Sequence, residues 1–113
     1  PKINFFQGLK AYERNLQNII NLCSSNNIEI ILCTFCFHLH SKIKNNQLNI
    51  LYEKIIIEEN NIIKKLAKKN NVKLVDSYSL IPKENINFVD HIHFSVEGMK
   101  LLAKSISEEI EIK

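Results

Sequence analysis

The sequence has no run of about 20 apolar residues, the length that a helix needs to span a bilayer. Its first residues also lack the basic and apolar pattern of a signal peptide. We therefore expect no membrane partner and favour a cytoplasmic location. Because the sequence begins at Pro1 and not at Met, we expect either a processed chain or a piece of a longer one.

Arginine and cysteine are both scarce. Arg14 is the only arginine, and the lysines behind the formal charge of +3 are scattered among acidic residues. Proteins that bind nucleic acid cluster Arg and Lys on one face and often interleave aromatic residues, so we expect no nucleic-acid partner. Three cysteines are an odd number, which argues against a closed disulfide framework and favours a reducing compartment.

The chain does have the composition of a globular domain. Its 113 residues are 45% hydrophobic and 24% charged, which suits one domain over residues 1–113. Three segments repeat apolar residues every three or four positions and predict helices: Phe5 to about Cys23, Leu48 to about Lys69, and the segment after Ser95, a suitable N-cap. The predicted buried stripe of the third helix consists of Met99, Leu102, Ala103, Ile106 and Ile110.

Two segments predict strands. Residues 28–35 are almost continuously apolar, as in a strand buried on both faces, whereas residues 72–76 are shorter and contain Lys73, which suggests a sheet edge. Residues 38–46 and 77–89 are predicted loops. Helices alternating with strands predict a parallel sheet with right-handed crossovers and helices on both faces. Sheets usually hold about four to six strands, so we expect further strands on the N-terminal side of this sequence.

Asp90 and His93 form the motif with the clearest chemical meaning. A hydroxyl nucleophile needs a base to take its proton, and the base needs a carboxylate on its other ring nitrogen to fix its tautomer. An Asp-x-x-His pair alone is weak evidence, because such a pair often makes only a surface hydrogen bond. His91, between the two, is predicted to face solvent or to take part in packing.

A second group of candidate residues follows the first predicted strand. Cys33, Cys36, His38 and His40 could supply four zinc ligands, so a small metal-binding protein is one alternative. The spacing argues against it, because all four lie within eight residues that begin inside a buried strand. Ligands of open parallel sheets bind beyond the carboxyl ends of the strands, so we predict that His38 and His40 line a substrate pocket.

The stretch from Asp90 to Ala103 resembles the last conserved block of the SGNH hydrolases, also called GDSL esterases and lipases. Asp90, His93, Ser95, Gly98 and Leu102-Ala103 match that block, and the upstream helix and strands also fit the second half of the family. The resemblance implies an α/β fold, a three-layer α/β/α flavodoxin-like domain with a parallel sheet. It also implies a serine esterase without metal or cofactor, in which His93 is the base and acid and Asp90 orients it. The implied partner is a small ester, for example an acylated carbohydrate.

The sequence departs from the family in one respect. The family carries its serine in a Gly-Asp-Ser block and completes the oxyanion hole from a Gly block and an Asn block, and these 113 residues contain none of the three. Ser77, Ser79 and Ser95 are near the pair in sequence but do not lie in a strand-to-helix elbow. The resemblance thus implies the C-terminal portion of the domain, inactive alone. A non-catalytic α/β module that binds a partner through its strand edge is the other alternative.

Overall fold

The structure is a computed structural model that describes residues 5–40 and 47–110. Helices and strands alternate along the chain, as predicted. The elements are α1 (Phe5–Ser25), β1 (Ile31–Cys33), α2 (Gln47–Asn70), β2 (Lys73–Val75), α3 (Ser77–Leu80), a short 3-10 helix (Asn85–Asn87) and α4 (Val96–Glu109). Part of the predicted loop 38–46 lies outside the described residues. Among these helices, none is long and apolar enough to cross a membrane.

Asparagine ends both long helices. Asn27 follows α1 with φ of 57°, and Asn71 follows α2 with φ of 51°. Asparagine is one of the few side chains that tolerate this left-handed conformation, which commonly closes a helix. The two helices therefore end within two residues of the predicted ends at about Cys23 and about Lys69.

The two strands pair in parallel, with Leu32 opposite Leu74 in the centre of the register. The prediction of a strand over residues 28–35 is wrong in length, because both of its ends bond elsewhere. The Ile28 amide donates to the Cys23 carbonyl at the end of α1. The Asn60 side chain accepts from the Phe35 amide at 2.7 Å and donates to the Phe35 carbonyl at 2.8 Å. Burial on both faces is also wrong for these described residues, since only Leu32 is buried within β1.

Two apolar clusters hold the described residues together. In the larger one α1 and α2 pack on the strands through Ile20, Leu32, Ile63, Leu66 and Ala67. The smaller one joins Cys36, Ile81 and Phe88, with Phe94 and Leu102 packed against them. Because Phe88 and Phe94 flank the Asp90–His93 loop, this second cluster anchors the loop to the domain.

Helix α4 begins as predicted but buries a different face. The Ser95 Oγ accepts from the Gly98 amide at 3.2 Å, which confirms the N-cap. The predicted stripe is wrong at Met99 and Ile110, which are more than half exposed, and at Ala103, which is also exposed. The helix approaches the 3-10 helix through Gly98, where a Cβ would lie 2.1 Å from the Asn87 carbonyl oxygen. This contact turns Gly98, Leu102 and Ile106 inward and the other side of the helix outward.

Residues 77–89 are not a loop throughout, which corrects the prediction. The α3 turn begins directly after β2, with the Ser79 and Leu80 amides donating to the Asp76 carbonyl. The 3-10 helix at residues 85–87 then carries the chain to Phe88. Both turns satisfy backbone groups locally, as in the bond from the Ile81 amide to the Ser77 carbonyl.

Candidate active site

The loop from Phe88 to Phe94 folds back on itself at the start of α4. Phe88 and Phe94 form an antiparallel bridge, and the Val89 amide donates to the His93 carbonyl at 2.9 Å. The two phenyl rings lie 5.3 Å apart between centroids, and Phe88 is buried. The base of the loop is therefore fixed by both backbone and aromatic contacts.

Asp90 and His93 face each other at the tip of this loop. One carboxylate oxygen, Oδ1, accepts from the backbone amides of Ile92 at 2.9 Å and His93 at 2.7 Å. The other, Oδ2, lies 2.7 Å from the His93 ring nitrogen Nδ1. The structure thus brings together the two residues that the motif predicted, through contacts within three positions of the chain.

The electrostatics of the pair favour an ionised Asp90. Its limited burial alone would raise its pKa, but hydrogen bonds from the Ile92 and His93 amides and from the His93 ring outweigh this effect and lower the pKa to about 2. A carboxylate at Oδ2 can only accept, so His93 Nδ1 carries the proton and its Nε2 carries the lone pair. The His93 side chain is 67% exposed, which leaves it accessible to a reaction partner.

His91 is a packing residue, one of the two options that the sequence left open. Its side chain is buried, and its ring lies 5.6 Å from the Phe37 ring between centroids. The His40 amide donates to His91 Nδ1 at 3.0 Å, and the His38 amide donates to the His91 carbonyl at 2.9 Å. The segment after β1 is therefore bonded directly to the loop that carries the pair.

His38 and His40 lie beside this loop but are held differently. The His38 ring packs on Phe88 with 5.2 Å between centroids, and its Nε2 is 2.8 Å from Asn85 Oδ1. His40 is buried, with only 4% of its surface exposed. Their contact with a substrate stays a prediction. A substrate could reach the half-buried His38 more easily than the buried His40.

A cavity of about 540 Å³ opens next to Asp90. Asp90, His91 and Ile92 form one side, and Phe37 and the first half of α2 form the other through Asn49, Tyr52 and Ile56. The sequence analysis did not associate α2 with the site. Every α2 residue of this lining lies 34 or more positions before Asp90, and no local pattern indicates such a pairing.

The cysteines and nearby serines have other environments. Burial raises the pKa of the Cys36 thiol to about 11, so this thiol stays protonated near neutral pH. Ser95 caps α4, Ser79 donates to Asp76 at 2.8 Å, and Ser77 is buried. Within residues 5–40 and 47–110, no three His, Cys, Asp or Glu side chains are grouped so that they could hold a metal ion.

The parallel pairing of its strands and the Asp-x-x-His loop directly before its last helix define the chain as an α/β protein with a hydrogen-bonded histidine–aspartate pair. The chain belongs to the GDSL-like Lipase/Acylhydrolase family, whose family model matches residues 2–106. None of the curated proteins matches its sequence significantly.

Three solved structures have a similar fold. An acetyl xylan esterase, AlAXEase, superimposes with a TM-score of 0.73 at 22% identity, over 91% of this chain and 56% of that one. A protein of the GDSL-like lipase type from Parabacteroides merdae gives 0.73 at 19% identity, over 88% and 48% of the two chains. A GDSL-like lipase from Bacteroides thetaiotaomicron gives 0.66 at 20% identity, over 86% and 49%. The chain therefore spans about half the length of these structures.

Proposed function

We propose that these 113 residues supply the base and its orienting carboxylate to a serine acyl hydrolase. The observation that carries this proposal is the 2.7 Å contact between His93 Nδ1 and Asp90 Oδ2, which leaves Nε2 of an exposed imidazole as a proton acceptor. The nucleophilic serine and the oxyanion donors would come from residues outside these 113. The chain covers only 56% and 48% of two similar structures, which supports a nucleophile and oxyanion donors located outside these residues.

In this mechanism the serine oxygen attacks the ester carbonyl while its proton passes to His93 Nε2. The tetrahedral intermediate then collapses, the C–O bond to the alcohol breaks, and His93 returns the proton to the departing alkoxide. Water attacks the acyl-serine with His93 again as base, and the acid and the free serine are released. Asp90 stays ionised throughout, because a group with a pKa of about 2 does not take a proton from imidazolium.

The proposed substrate is a small ester, for example an acetylated carbohydrate. The acetyl xylan esterase among the similar structures supports this substrate class, although identity of 22% establishes only the shared fold. We also propose that His38 and His40 lie near the bound ester, because their backbone amides bond to His91 within the Asp90–His93 loop. Replacement of both with Ala is expected to raise KM more than it lowers kcat.

The main experiment replaces His93 in the complete protein and measures hydrolysis of p-nitrophenyl acetate. We expect His93→Ala to lower kcat by roughly 10⁵ to 10⁶-fold, as loss of the base does in other serine triads. Lys100→Ala, at an exposed position of α4, is the matched control and should leave kcat unchanged. Hydrolysis that survives His93→Ala undiminished would show that the proposed base is wrong.

A second experiment tests the division of the active site. The complete protein should react with a fluorophosphonate probe, whereas the 113 residues alone should not. Labelling of the 113-residue chain would contradict a nucleophile located elsewhere. A complete reading frame without a Gly-Asp-Ser block would favour the non-catalytic binding module.

A further inference from the structure

His91 lies between the proposed base and its carboxylate, yet it points away from both into the protein. The whole residue is 7% exposed, whereas the side chain of His93 is 67% exposed. The residue is bonded twice to the segment after β1, once through its carbonyl to the His38 amide and once through Nδ1 to the His40 amide. Both bonds cross from one segment to another more than 50 positions away.

Two backbone groups face Nδ1 of His91. The His40 N–H points at it from 3.0 Å, and because this amide can only donate, its bond requires an unprotonated Nδ1. Nδ1 also lies 3.0 Å from the His38 carbonyl oxygen, to which it would donate in the other tautomer. With Nδ1 as the acceptor, the proton of neutral His91 is on Nε2, which is buried and has no hydrogen-bond partner among the described residues.

This arrangement is unfavourable for a residue that serves only to fill space. A buried donor without a partner costs about 1–3 kcal/mol, and an apolar side chain could pack on Phe37 without that cost. The favourable feature of the imidazole at this position is the acceptor at Nδ1. Without it, the His40 amide would lose its bond to the loop.

We infer that His91 is a positioning residue that holds the Asp90–His93 loop in its reactive geometry through the Nδ1 bond to the His40 amide. The inference rests on the proposed function and assigns a role to a residue between the two catalytic ones. Asp90 is the next residue in the chain, and its carboxylate orients the imidazole only while the loop keeps its shape. Misplacement of a catalytic group by about 1 Å can cost on the order of 100-fold in rate.

Two substitutions separate the hydrogen bond from packing. His91→Asn keeps an acceptor oxygen close to the position of Nδ1, whereas His91→Leu keeps apolar volume and removes the acceptor. In the complete protein we expect His91→Leu to lower kcat by about tenfold or more and His91→Asn to stay within about threefold of wild type, with KM little changed in both. Val89→Ala, an exposed change in the same loop, is the control and should have no effect. Equal kcat values for the Leu and Asn variants, whether both high or both low, would overturn the inference.

A measurement without hydrolysis keeps the inference testable if a variant misfolds or if no ester is turned over. Nitrogen-15 NMR of the wild-type complete protein should show His91 protonated at Nε2 and not at Nδ1, with the His40 amide protected from exchange. That protection should persist in His91→Asn and fall in His91→Leu. A proton on Nδ1, or a freely exchanging His40 amide, would overturn the positioning role. Absence of ester hydrolysis in wild type would instead count against the proposed function.

Discussion

Asp76 and Asp90 both follow β2, and both have a lowered pKa, but they are held by different kinds of partner. Asp76 accepts from the hydroxyls of Thr34 and Ser79, each at 2.8 Å, and lies 3.6 Å from Lys64 Nζ. Its burial opposes ionisation, and these hydroxyls and the lysine charge overcome that effect and lower its pKa. Asp90 instead accepts from two backbone amides and one imidazole.

The difference separates a carboxylate with structural partners from the one that we propose acts in catalysis. The partners of Asp76 connect the end of β1 to α3, since Thr34 Oγ1 also accepts from the Tyr78 amide at 3.0 Å. Hydroxyl and ammonium groups do not act as bases near neutral pH, and their bonds to Asp76 join separate elements of the fold. The partner of Asp90 is an imidazole, the side chain best suited to exchange protons near neutral pH. The chemistry of a carboxylate site therefore depends on its partners more than on its pKa.

Asp90→Asn should have the larger effect on activity. The amide nitrogen can no longer hold the His93 Nδ1 proton, so the ring would favour the wrong tautomer, a change that costs on the order of 10⁴-fold in kcat in a related triad. The measurement is kcat for p-nitrophenyl acetate in the complete protein, with the folded fraction checked by circular dichroism. A loss below about tenfold would remove the distinction between the two aspartates.

Asp76→Asn should mainly change stability. Two charge-assisted hydrogen bonds become neutral ones, so we expect a loss of about 1–2 kcal/mol in the free energy of unfolding. Urea unfolding measures this loss, and kcat per folded molecule should stay within about threefold of wild type. A large fall in kcat with unchanged stability would mean that Asp76 also acts in the reaction.

The comparison also explains how much the sequence could predict. The partners of Asp90 lie two and three positions away, so a local motif is enough to place the pair, as it is for the Ser95 cap and the Asn ends of α1 and α2. Thr34 lies 42 positions from Asp76, and Asn60 lies 25 positions from Phe35. These contacts depend on how elements distant in sequence pack together, and the spacing of apolar residues along the chain does not predict that packing. The buried face of α4 was mispredicted for the same reason, since the close approach at Gly98 decides it.

The smallest expected effect is the acid dependence of stability. Both aspartates have a lower pKa folded than unfolded, so each stabilises the fold above its unfolded value of about 3.9, and this contribution is lost as the pH falls. For Asp90 the loss extends to its folded pKa of about 2. Because its side chain is 39% exposed, we expect less than about 1 kcal/mol.

Unfolding of wild type and both Asn variants, measured from neutral pH down to about pH 2, tests this expectation. The difference in unfolding free energy between wild type and Asp90→Asn should be small at neutral pH and vanish near pH 2. The Asp76→Asn difference should be larger at neutral pH and also shrink in acid, because the native carboxylate takes up its proton there. An Asp76→Asn difference that stays constant from neutral pH down to about pH 2 would contradict the lowered pKa of Asp76 and overturn this part of the comparison.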